Sequence, residues 1–172
     1  MALFRKKPKL PYIITFIGWH NSGKTTVASR VVAILKKRGL NPAVVKSTKE
    51  EGLLAQAFGT DTDIYLRSGA DTVMLAAPDG TSMVSRGTKP SLTELSTTYF
   101  SNFELVVGEG FKHEKGIAKI EINRSGEHPL WKDDPEIIGL VSDAPSSHPF
   151  TFGSLDFENI ADFIISQMHG QN

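Results

Sequence analysis

The stretch that decides the fold is FIGWHNSGKTT, residues 16–26, which continues an apolar run that begins at residue 12. From Gly18 to Thr25 it matches the phosphate-binding pattern G-x-x-x-x-G-K-[ST] at every fixed position. In such a loop the glycines let backbone N–H groups point inward at phosphate oxygens, the lysine reaches the outer phosphates, and the last hydroxyl binds Mg²⁺. The pattern predicts a nucleotide-binding loop, with Lys24 as its catalytic cation and Thr25 as a metal ligand.

The segments on either side of the loop support this prediction. Residues 12–17 are apolar and rich in β-formers, as in a buried strand. Residues 24–38 carry apolar side chains at helical spacing, and Gly39 supplies a stop. Strand, loop and helix therefore follow one another in the order that the motif requires.

Four residues inside the loop are further candidates for contact with the phosphates. Asn21, Ser22 and Gly23 complete the predicted cradle, and the helix that starts here adds its positive dipole end. Trp19 and His20 are bulky where such loops often use small residues. For His20, contact with a phosphate or a partner and simple exposure on a loop are both open.

Apolar, strand-like runs alternate with helical segments along the rest of the chain. Strands are predicted at residues 42–46, 103–108, 118–123 and 137–142, and helices at 61–69, from Ser91 and from Asp156. The run AKIEIN at 118–123 alternates apolar and polar residues, which predicts a half-exposed strand. Alternating strands and helices predict an α/β fold with a mostly parallel sheet and helices on both faces.

Two further strands, residues 72–77 and 81–85, are separated by the turn PDG. Proline fixes φ and glycine accepts positive φ, so this turn predicts an antiparallel hairpin. No repeat, low-complexity segment or interdomain linker interrupts the sequence. We therefore predict one P-loop NTPase-like domain over residues 1–172, with the added hairpin and a basic tail at residues 1–10.

The composition argues against several classes of function. Lysine plus arginine equals aspartate plus glutamate, 19 against 19, so the broad basic field of a nucleic-acid-binding protein is missing. The chain has no cysteine, which excludes disulfides and thiolate metal sites. No apolar run is long enough to span a bilayer, and no signal-peptide cleavage site follows the basic tail. We expect a cytoplasmic protein that binds neither nucleic acid nor membrane.

The ligands of a parallel α/β sheet bind at the carboxyl ends of its strands, and this rule selects among the acids. Glu109 follows the strand at 103–108, at the same edge as the phosphate loop, so we predict it as the catalytic carboxylate and a Mg²⁺ ligand. Glu104 enters that strand at the opposite edge. Asp61 is a second candidate for the metal at the start of a helix, where a plain N-cap is an equally good interpretation.

Basic residues also fall at the predicted ligand edge. Lys46 ends a strand, and Lys112 and His113 follow Glu109 in the sequence. These side chains are candidates for binding a second anionic group opposite the nucleotide. A solvated basic loop is the alternative interpretation.

The base of the nucleotide is not decided by the sequence. The guanine signature N-K-x-D is missing, but Asp143 follows the strand at 137–142, at the ligand edge. A carboxylate there would accept hydrogen bonds from the ring N–H and the amino group of guanine, which adenine cannot supply. Aspartate before Ala-Pro is also common in turns, so both roles are open for Asp143.

With these residues in place, the chain resembles the molybdopterin-guanine dinucleotide biosynthesis protein B (MobB) family. The similar stretches, in family order from Gly18 to Ile164, are GWHNSGKTT, VVKST, DTDIYLRSGA, LVVGEGFKHE, AKIEI, VSDAP and IADFI. The phosphate loop is common to many nucleoside triphosphatases. The run EGFKHE with AKI shortly after it is far more specific to this family.

The resemblance implies a cytoplasmic, GTP-binding homodimer with a slow Mg²⁺-dependent GTPase activity. It also implies a role beside the molybdopterin guanylyltransferase, which attaches GMP to the molybdenum-bearing pterin; direct binding of molybdopterin is left open. Matching positions imply that phosphates are bound by Gly23, Lys24, Thr25 and Thr26 and that Glu109 serves Mg²⁺. They also imply that Asp61, Lys112 and His113 lie in functional loops and that Asp143 lies near the guanine.

Three positions depart from the family pattern. Ser47 stands where histidine is common, Glu104 where aspartate is common, and Gly108 where an apolar residue is common. The differences affect the second anion site more than the nucleotide site.

Other functions of P-loop proteins are kept as alternatives. A small-metabolite kinase would need an arginine-bearing lid, and the sequence has no compact arginine cluster; Arg67 and Arg86 are candidates for a single stabilising arginine. A metal-delivery GTPase would need closely spaced imidazole or thiolate ligands, and the five histidines are scattered. A scaffold that uses nucleotide only as structural glue would show no turnover.

Overall fold

The computed structural model describes residues 10–49 and 60–170. Of these, residues 10–47 and 91–170 form one compact unit, and residues 48–49 and 60–90 form a second. Each unit has its own sheet. The predicted basic tail lies outside the described residues apart from Leu10, which is exposed.

The first unit is built on six parallel strands. With β3 and β4 reserved for the second unit, they are β1 (Tyr12–Ile17), β2 (Pro42–Lys46), β5 (Leu105–Glu109), β6 (Ala118–Ile122), β7 (Ile137–Val141) and β8 (Thr151–Phe152). Their spatial order is β2-β5-β1-β6-β7-β8, and every neighbouring pair is parallel. The predicted parallel sheet is confirmed. The strand before the phosphate loop lies between β5 and β6, so the loop lies near the middle of the ligand edge.

Helices cover both faces of this sheet, as predicted. The helices α1 (Lys24–Lys37) and α4 (Phe157–Gly170) bury Val31, Leu35 and Ile160 in one core with Phe16 of β1. The helix α3 (Leu92–Tyr99) buries Leu92 in a second core with Val106. Because successive side chains of a strand point to opposite faces, the two cores lie on opposite sides of the sheet.

Local signals start and end these helices. Ser91 caps α3, because its hydroxyl accepts from the Glu94 backbone N–H at 3.1 Å while the Glu94 carboxylate accepts from the Ser91 backbone N–H at 2.8 Å. This is the capping box that SLTE predicts. After α1, Gly39 adopts a φ of 90°, and its N–H donates to the Lys36 carbonyl. The glycine stop is therefore confirmed.

The second unit contains the predicted hairpin. Strands β3 (Thr72–Ala77) and β4 (Gly80–Ser85) pair antiparallel, and the helix α2 (Thr60–Arg67) packs against β3. Two large apolar side chains of the hairpin, Met74 and Leu75, are exposed. In the part of the chain that the structure describes, no helix is both long and apolar enough to cross a bilayer.

The prediction of a half-exposed strand at residues 118–123 is wrong. Lys119 and Glu121 of β6 have no exposed surface, although alternation places them on the polar face of the strand. Residues 123–136, which include a 3₁₀ turn at Leu130–Lys132, lie against that face and supply the partners. Neither this turn nor the short edge strand β8 was predicted from the sequence.

Lys119 is held by two carboxylates of the covering segment. Its ammonium lies 2.7 Å from Asp134 and 2.8 Å from Glu136. Burial alone lowers the pKa of Lys119, but the hydrogen bonds to Asp134 and Glu136 outweigh it and the net shift is upward. The hydrogen bond from Lys119 lowers the pKa of Glu136 in turn. Lys119, which the alternating pattern predicts to be exposed to solvent, is thus part of a buried ion cluster.

Candidate functional site

The phosphate loop has the backbone that its glycines predict. Gly18 follows β1 with a φ of 149°, and a Cβ atom there would collide with the Ile122 carbonyl and lie 2.8 Å from Ser22 Oγ. Gly23 precedes α1 with a φ of 91°, and Asn21 also has a positive φ, 59°. These conformations favour glycine and asparagine. The loop curls tightly against the end of β6 before the helix begins.

Ser22 gives a direct test of whether the loop suits an anion. Its hydroxyl is buried and has no hydrogen-bond partner within the described residues. A buried hydroxyl without a partner is unfavourable, so such groups usually have one. The Ser22 hydroxyl inside a glycine-lined loop therefore fits an acceptor-rich ligand such as a phosphate.

Three predicted site residues from three separate elements meet at the start of α1. Thr25 Oγ1 donates to Glu109 Oε1 at 2.7 Å, and Lys46 Nζ lies 3.1 Å from the same oxygen. The Lys46 ammonium also reaches Thr25 Oγ1 at 3.4 Å. Sheet register explains the meeting, because Glu109 of β5 pairs with Phe16 of β1 on one side and with Lys46 of β2 on the other.

Glu109 is the last residue of β5 rather than the first residue after it, and it is buried. The following backbone is fixed on both sides, since Gly110 N–H donates to Phe16 and Ser47 N–H donates to the Glu109 carbonyl. Thr15 adds a hydrogen bond from its hydroxyl to the Gly110 carbonyl at 2.9 Å. The carboxylate thus projects from a rigid strand end.

Lys24 is surrounded by more positive than negative charge. Its ammonium donates to the Trp19 carbonyl at 2.6 Å. Burial lowers the pKa of Lys24, the charges of Lys46 and Lys112 lower it further, and Glu109 opposes them in part. The three lysines face one carboxylate, so an added anion would stabilise the charged form of Lys24.

Trp19 connects the phosphate loop to two neighbouring loops. Its indole N–H donates to the His128 carbonyl at 3.2 Å, and Lys112 Nζ lies 4.6 Å from the centre of its ring. The structure therefore brings Lys112 to the phosphate loop, as the sequence predicts for the ligand edge. The side chains of His20, Thr26 and His113 are exposed.

The remaining candidates for the metal and for a stabilising arginine belong to the second unit. The helix α2 begins at Thr60, so Asp61 is its second residue and not its N-cap. The Asp61 side chain is exposed; Arg67 ends the same helix, and Arg86 follows β4. Their roles stay predictions. Across residues 10–49 and 60–170, no group of three or more histidine, aspartate or glutamate side chains is arranged to hold a metal ion.

Asp143 lies beyond β7, and both of its carboxylate oxygens have partners. Oδ2 accepts from Arg124 Nε at 3.0 Å, and Oδ1 accepts from the Ser154 backbone N–H at 2.9 Å. The hydrogen bond from Ser154, followed by that from Arg124, lowers the pKa of Asp143. This carboxylate joins the loops that follow β6, β7 and β8, and its role toward guanine stays a prediction.

A cavity at the ligand edge was not predicted from the sequence. Its volume is about 130 Å³. Among its lining residues are Asn123 after β6, Ser142 after β7, and Trp131 from the 3₁₀ turn. The polar loop RSGEHPLWKDDP carries no motif that marks a site. The only sequence signal was the position of Asn123 and Ser142 at strand ends on the ligand edge.

Glu114 is another residue whose position the sequence did not explain. Its carboxylate accepts a hydrogen bond from the Leu92 backbone N–H in the first turn of α3. The loop after β5, which carries Lys112, is thereby fastened to α3. In the run EGFKHE, the first glutamate faces the phosphate loop and the second holds the loop in place.

Comparison with known proteins adds a family to this geometry. The family model for MobB, molybdopterin guanine dinucleotide synthesis protein B, matches residues 13–143. The molybdopterin-guanine dinucleotide biosynthesis adapter protein of Escherichia coli (strain K12) is 28% identical over 170 residues, which cover 93% of this chain and 95% of the relative.

Solved structures agree with this match. A crystal structure of molybdopterin-guanine biosynthesis protein B (mobB) has a TM-score of 0.72 at 29% identity and covers 90% of this chain and 99% of that one. The crystal structure of Bacillus subtilis MobB has a TM-score of 0.73 at 25% identity and covers 91% of this chain and 97% of that one.

The matched range includes the phosphate loop, β5 with Glu109, and the loop after β7 with Asp143. The parallel sheet with its separate antiparallel pair is the P-loop NTPase-like fold predicted from the sequence. The chain therefore belongs to the MobB family, which takes part in molybdopterin guanine dinucleotide biosynthesis.

Proposed function

We propose that this chain is a GTP-binding adaptor with weak Mg²⁺-dependent GTPase activity, which assists a guanylyltransferase in attaching GMP to molybdopterin. The strongest support is the 2.7 Å hydrogen bond between Thr25 and Glu109. In P-loop proteins the loop hydroxyl and an acid at the end of a neighbouring strand hold the Mg²⁺ of a bound nucleotide. Here those two groups already touch.

The charges at the site support a polyanionic ligand. The charges of Lys46 and Lys112 both lower the pKa of Lys24, and the charge of Glu109 opposes them. A nucleoside triphosphate carries enough negative charge to satisfy this surplus even with Mg²⁺ bound. The Ser22 hydroxyl, which has no hydrogen-bond partner among residues 10–49 and 60–170, fits the same ligand, because phosphate oxygens accept hydrogen bonds.

Each residue then has a defined task toward the nucleotide. Lys24 exchanges the Trp19 carbonyl for phosphate oxygens, and the backbone N–H groups of the loop bind the same anion. Thr25 and Glu109 are the residues that would hold Mg²⁺, which supplies charge neutralisation at the phosphates when bound. Lys46 orients the Glu109 carboxylate from the side of β2.

Turnover is expected to be slow. Fast GTP hydrolysis needs a side chain that orients the attacking water and a cation that stabilises the transition state. The residues after Glu109 are Gly110 and Phe111, which offer no such polar side chain. A partner that completes the site would raise the rate, as expected for an adaptor that acts beside a guanylyltransferase.

We also propose that the chain forms a homodimer in which the second unit contributes contacts. Ile64 and Tyr65 of α2 and Met74 and Leu75 of the hairpin are all more than half exposed, at 53–63%. Large apolar side chains exposed on a small unit are typical of protein interfaces. Replacement of Met74 by Lys should shift the protein toward monomer in sedimentation, while Ala33→Lys, at an exposed position of α1 in the first unit, serves as a control for added charge.

Nucleotide binding is tested by thermal unfolding with GTP or ATP, with and without Mg²⁺. A ligand at about one hundred times its Kd stabilises the folded state by about 2.7 kcal/mol. We expect GTP with Mg²⁺ to raise the Tm of the wild type and to leave Lys24→Ala unchanged. Lys37→Ala, an exposed lysine on the same helix, is the matched control and should respond as the wild type does. An equal shift in Lys24→Ala would overturn the assignment.

Hydrolysis is tested separately with Glu109→Gln. The amide keeps the shape of the side chain and can still accept from Thr25, but it lacks the charge that serves Mg²⁺. GTP turnover in the presence of the guanylyltransferase should fall at least tenfold, and nucleotide-induced stabilisation should fall much less. Equal loss of both would mean that Glu109 only supports the fold.

A further inference from the structure

The cavity at the ends of β6 and β7 is built from an aromatic wall and several polar groups. Trp131 and Leu140 supply apolar surface, and Asn123, Ser142 and Ser146 supply amide and hydroxyl groups. At about 130 Å³, it is smaller than the pockets that hold whole drug-sized ligands, so it suits one ring system of a larger molecule.

The cavity and the phosphate loop share one edge of the sheet. Asn123 follows β6, which is the neighbour of β1, and Gly126 and Pro129 of the next loop also line the cavity. That loop is tied to the phosphate loop by the hydrogen bond from Trp19 to the His128 carbonyl. The site for phosphates and the site for a ring are therefore adjacent parts of one unit.

A buried carboxylate that phosphate binding does not use holds the walls of this cavity. Glu121 has no exposed surface. Its Oε1 accepts from the Leu130 N–H at 2.9 Å and from Asn123 Nδ2 at 3.2 Å, and its Oε2 accepts from the Trp131 N–H at 2.9 Å. One side chain thus fixes the backbone of Trp131 and the amide of Asn123 together.

One buried and one exposed side chain contact the Trp131 ring. His148 contacts the ring at a centroid distance of 5.3 Å in an edge arrangement, and it is buried. Lys132 Nζ lies 5.8 Å from the ring centre, and Lys132 itself is exposed and lines the cavity. An incoming planar ring can displace this flexible ammonium and stack on the indole, a contact worth more than an exposed cation–π pair.

The polar groups select the kind of ring. Asn123 Oδ1, which accepts from Gly126 N–H, keeps a second lone pair. The Ser142 hydroxyl donates to the Ala144 carbonyl at 3.3 Å and accepts from the Ala144 N–H, so it offers a ligand one further lone pair. The Ser146 hydroxyl accepts from the His148 N–H and has a proton to donate. A ring with an amino group, a ring N–H and a carbonyl matches this mixture. Guanine and the pterins share such an aminopyrimidinone ring, whereas adenine has no carbonyl.

We propose that this cavity binds a planar aminopyrimidinone ring, with Trp131 as its stacking wall and Glu121 as the residue that positions Trp131 and Asn123. The proposal takes its ligand class from the proposed function, in which both a guanine nucleotide and a pterin take part. The ring is either the guanine of GTP bound at the phosphate loop or the ring of a pterin bound beside it.

The two tryptophans of the chain report the two sites separately. Each gives one indole N–H signal in a proton–nitrogen NMR spectrum, assigned with Trp19→Phe and Trp131→Phe. Inorganic tripolyphosphate and ATP should move the Trp19 signal and leave that of Trp131 in place. GTP, neopterin, or both should move the Trp131 signal. A response to GTP alone identifies the ring as guanine, and a response to neopterin alone identifies it as a pterin.

Variants show whether the ligand contacts Trp131 directly or only shifts its signal through a change elsewhere in the protein. Trp131→Ala should weaken the ring ligand that moves Trp131 about tenfold or more and leave tripolyphosphate affinity unchanged. Glu121→Gln should weaken the same ligand with no effect on tripolyphosphate, and Trp131→Phe should rescue most of the loss seen with alanine. Glu127→Gln, an exposed glutamate of the same loop, is the matched control. If Glu121→Gln does not fold, Trp131→Ala and Trp131→Phe decide the question.

The outcomes keep the two proposals apart. The ring site is overturned if neither GTP nor neopterin moves Trp131, or if Trp131→Ala leaves both affinities unchanged. The proposed GTP-binding function fails instead if neither tripolyphosphate nor GTP moves Trp19. In that case a Trp131 response to neopterin would still support the ring site.

Discussion

Glu109 and Glu121 are two buried glutamates on the strands that flank β1, yet their partners differ in kind. Glu109 is bound by the Thr25 hydroxyl and by the Lys46 ammonium, whose side chain is 57% exposed. Glu121 is bound by two backbone N–H groups and the Asn123 amide. The partners of Glu109 can turn to a ligand, whereas backbone donors cannot leave without unfolding a loop.

The comparison shows how a functional acid and a positioning acid can be told apart. Burial alone does not separate them, because both side chains are almost fully covered. The kind of donor separates the two acids, because side-chain donors can exchange one acceptor for another during a reaction and backbone donors cannot. This contrast supports the proposed role of Glu109 toward phosphate and metal and the proposed role of Glu121 as a positioning residue.

The largest expected effect contrasts these two residues in stability. Glu121→Ala removes the acceptor of three N–H donors, one in a buried and two in partly buried hydrogen bonds. Each lost acceptor costs about 1–3 kcal/mol, so we expect the free energy of unfolding to fall by about 3 kcal/mol or more. Glu109→Ala frees a lysine that water can solvate, so the loss should stay within about 1 kcal/mol. Urea unfolding without nucleotide measures both. Equal losses would remove the distinction between the two acids.

A second effect concerns the strand that carries Glu109. A Cβ atom on Gly108 would lie 2.6 Å from Leu92 Cδ2 and 2.6 Å from Thr15 Oγ1. Gly108→Ala should therefore cost about 2 kcal/mol through overpacking. Gly80→Ala in the hairpin, where an added Cβ meets nothing within 4 Å, is the control and should be nearly neutral. A neutral Gly108→Ala would mean that α3 can move away from β5 freely.

The contrast between β5 and β6, on the two sides of β1, also shows how much could be predicted from the sequence. The β1–loop–α1 segment is encoded locally, and the rule on strand ends was enough to bring Glu109 to it. Lys119 and Glu121 were misjudged because alternation reports which side chains are polar, not whether a later segment covers them. Their partners lie 9–17 residues further along the chain, in a loop without a motif.

The glycine at position 108 has a related explanation. The sequence shows a glycine within an apolar strand, but it cannot show what lies against that position. The close approach of Leu92 and Thr15 supplies the reason, and both come from distant parts of the chain. Contacts of this kind depend on tertiary packing and leave no periodic signal.

Ser22 offers a smaller effect with the opposite sign. Its buried hydroxyl has no partner in the described residues, so Ser22→Ala should raise the stability of the nucleotide-free protein by about 1 kcal/mol. The same variant should gain less stability from GTP, because a phosphate contact is lost. Ser29→Ala, whose exposed hydroxyl donates to Thr26 at 3.1 Å, is the control and should change neither quantity by more than about 0.5 kcal/mol. A destabilised Ser22→Ala would show that the hydroxyl already has a partner.

The smallest effect is a change in the pH dependence of the free energy of unfolding, caused by the ion cluster of Lys119, Asp134 and Glu136. The hydrogen bond from Lys119 lowers the pKa of Glu136. Burial raises the pKa of Asp134, but the hydrogen bonds from Lys119 and from the Glu136 backbone N–H, together with the charges of Lys119 and Lys115, outweigh it, so that the net shift is downward. A carboxyl with a lowered pKa in the folded state adds stability above its unfolded pKa and loses it as pH falls through the folded value. Lys119→Met removes the partner, so its free energy of unfolding should fall less steeply than that of the wild type below the ordinary pKa values of 4.5 for Glu136 and 3.8 for Asp134.

Urea unfolding at a series of pH values from neutral to acid measures how steeply the free energy of unfolding falls in the wild type and in Lys119→Met. Parallel curves would show that the carboxylates owe their lowered pKa to the backbone N–H groups of Gly116 and Glu136 rather than to the buried lysine, and the charged face of β6 would then be held mainly by the covering loop.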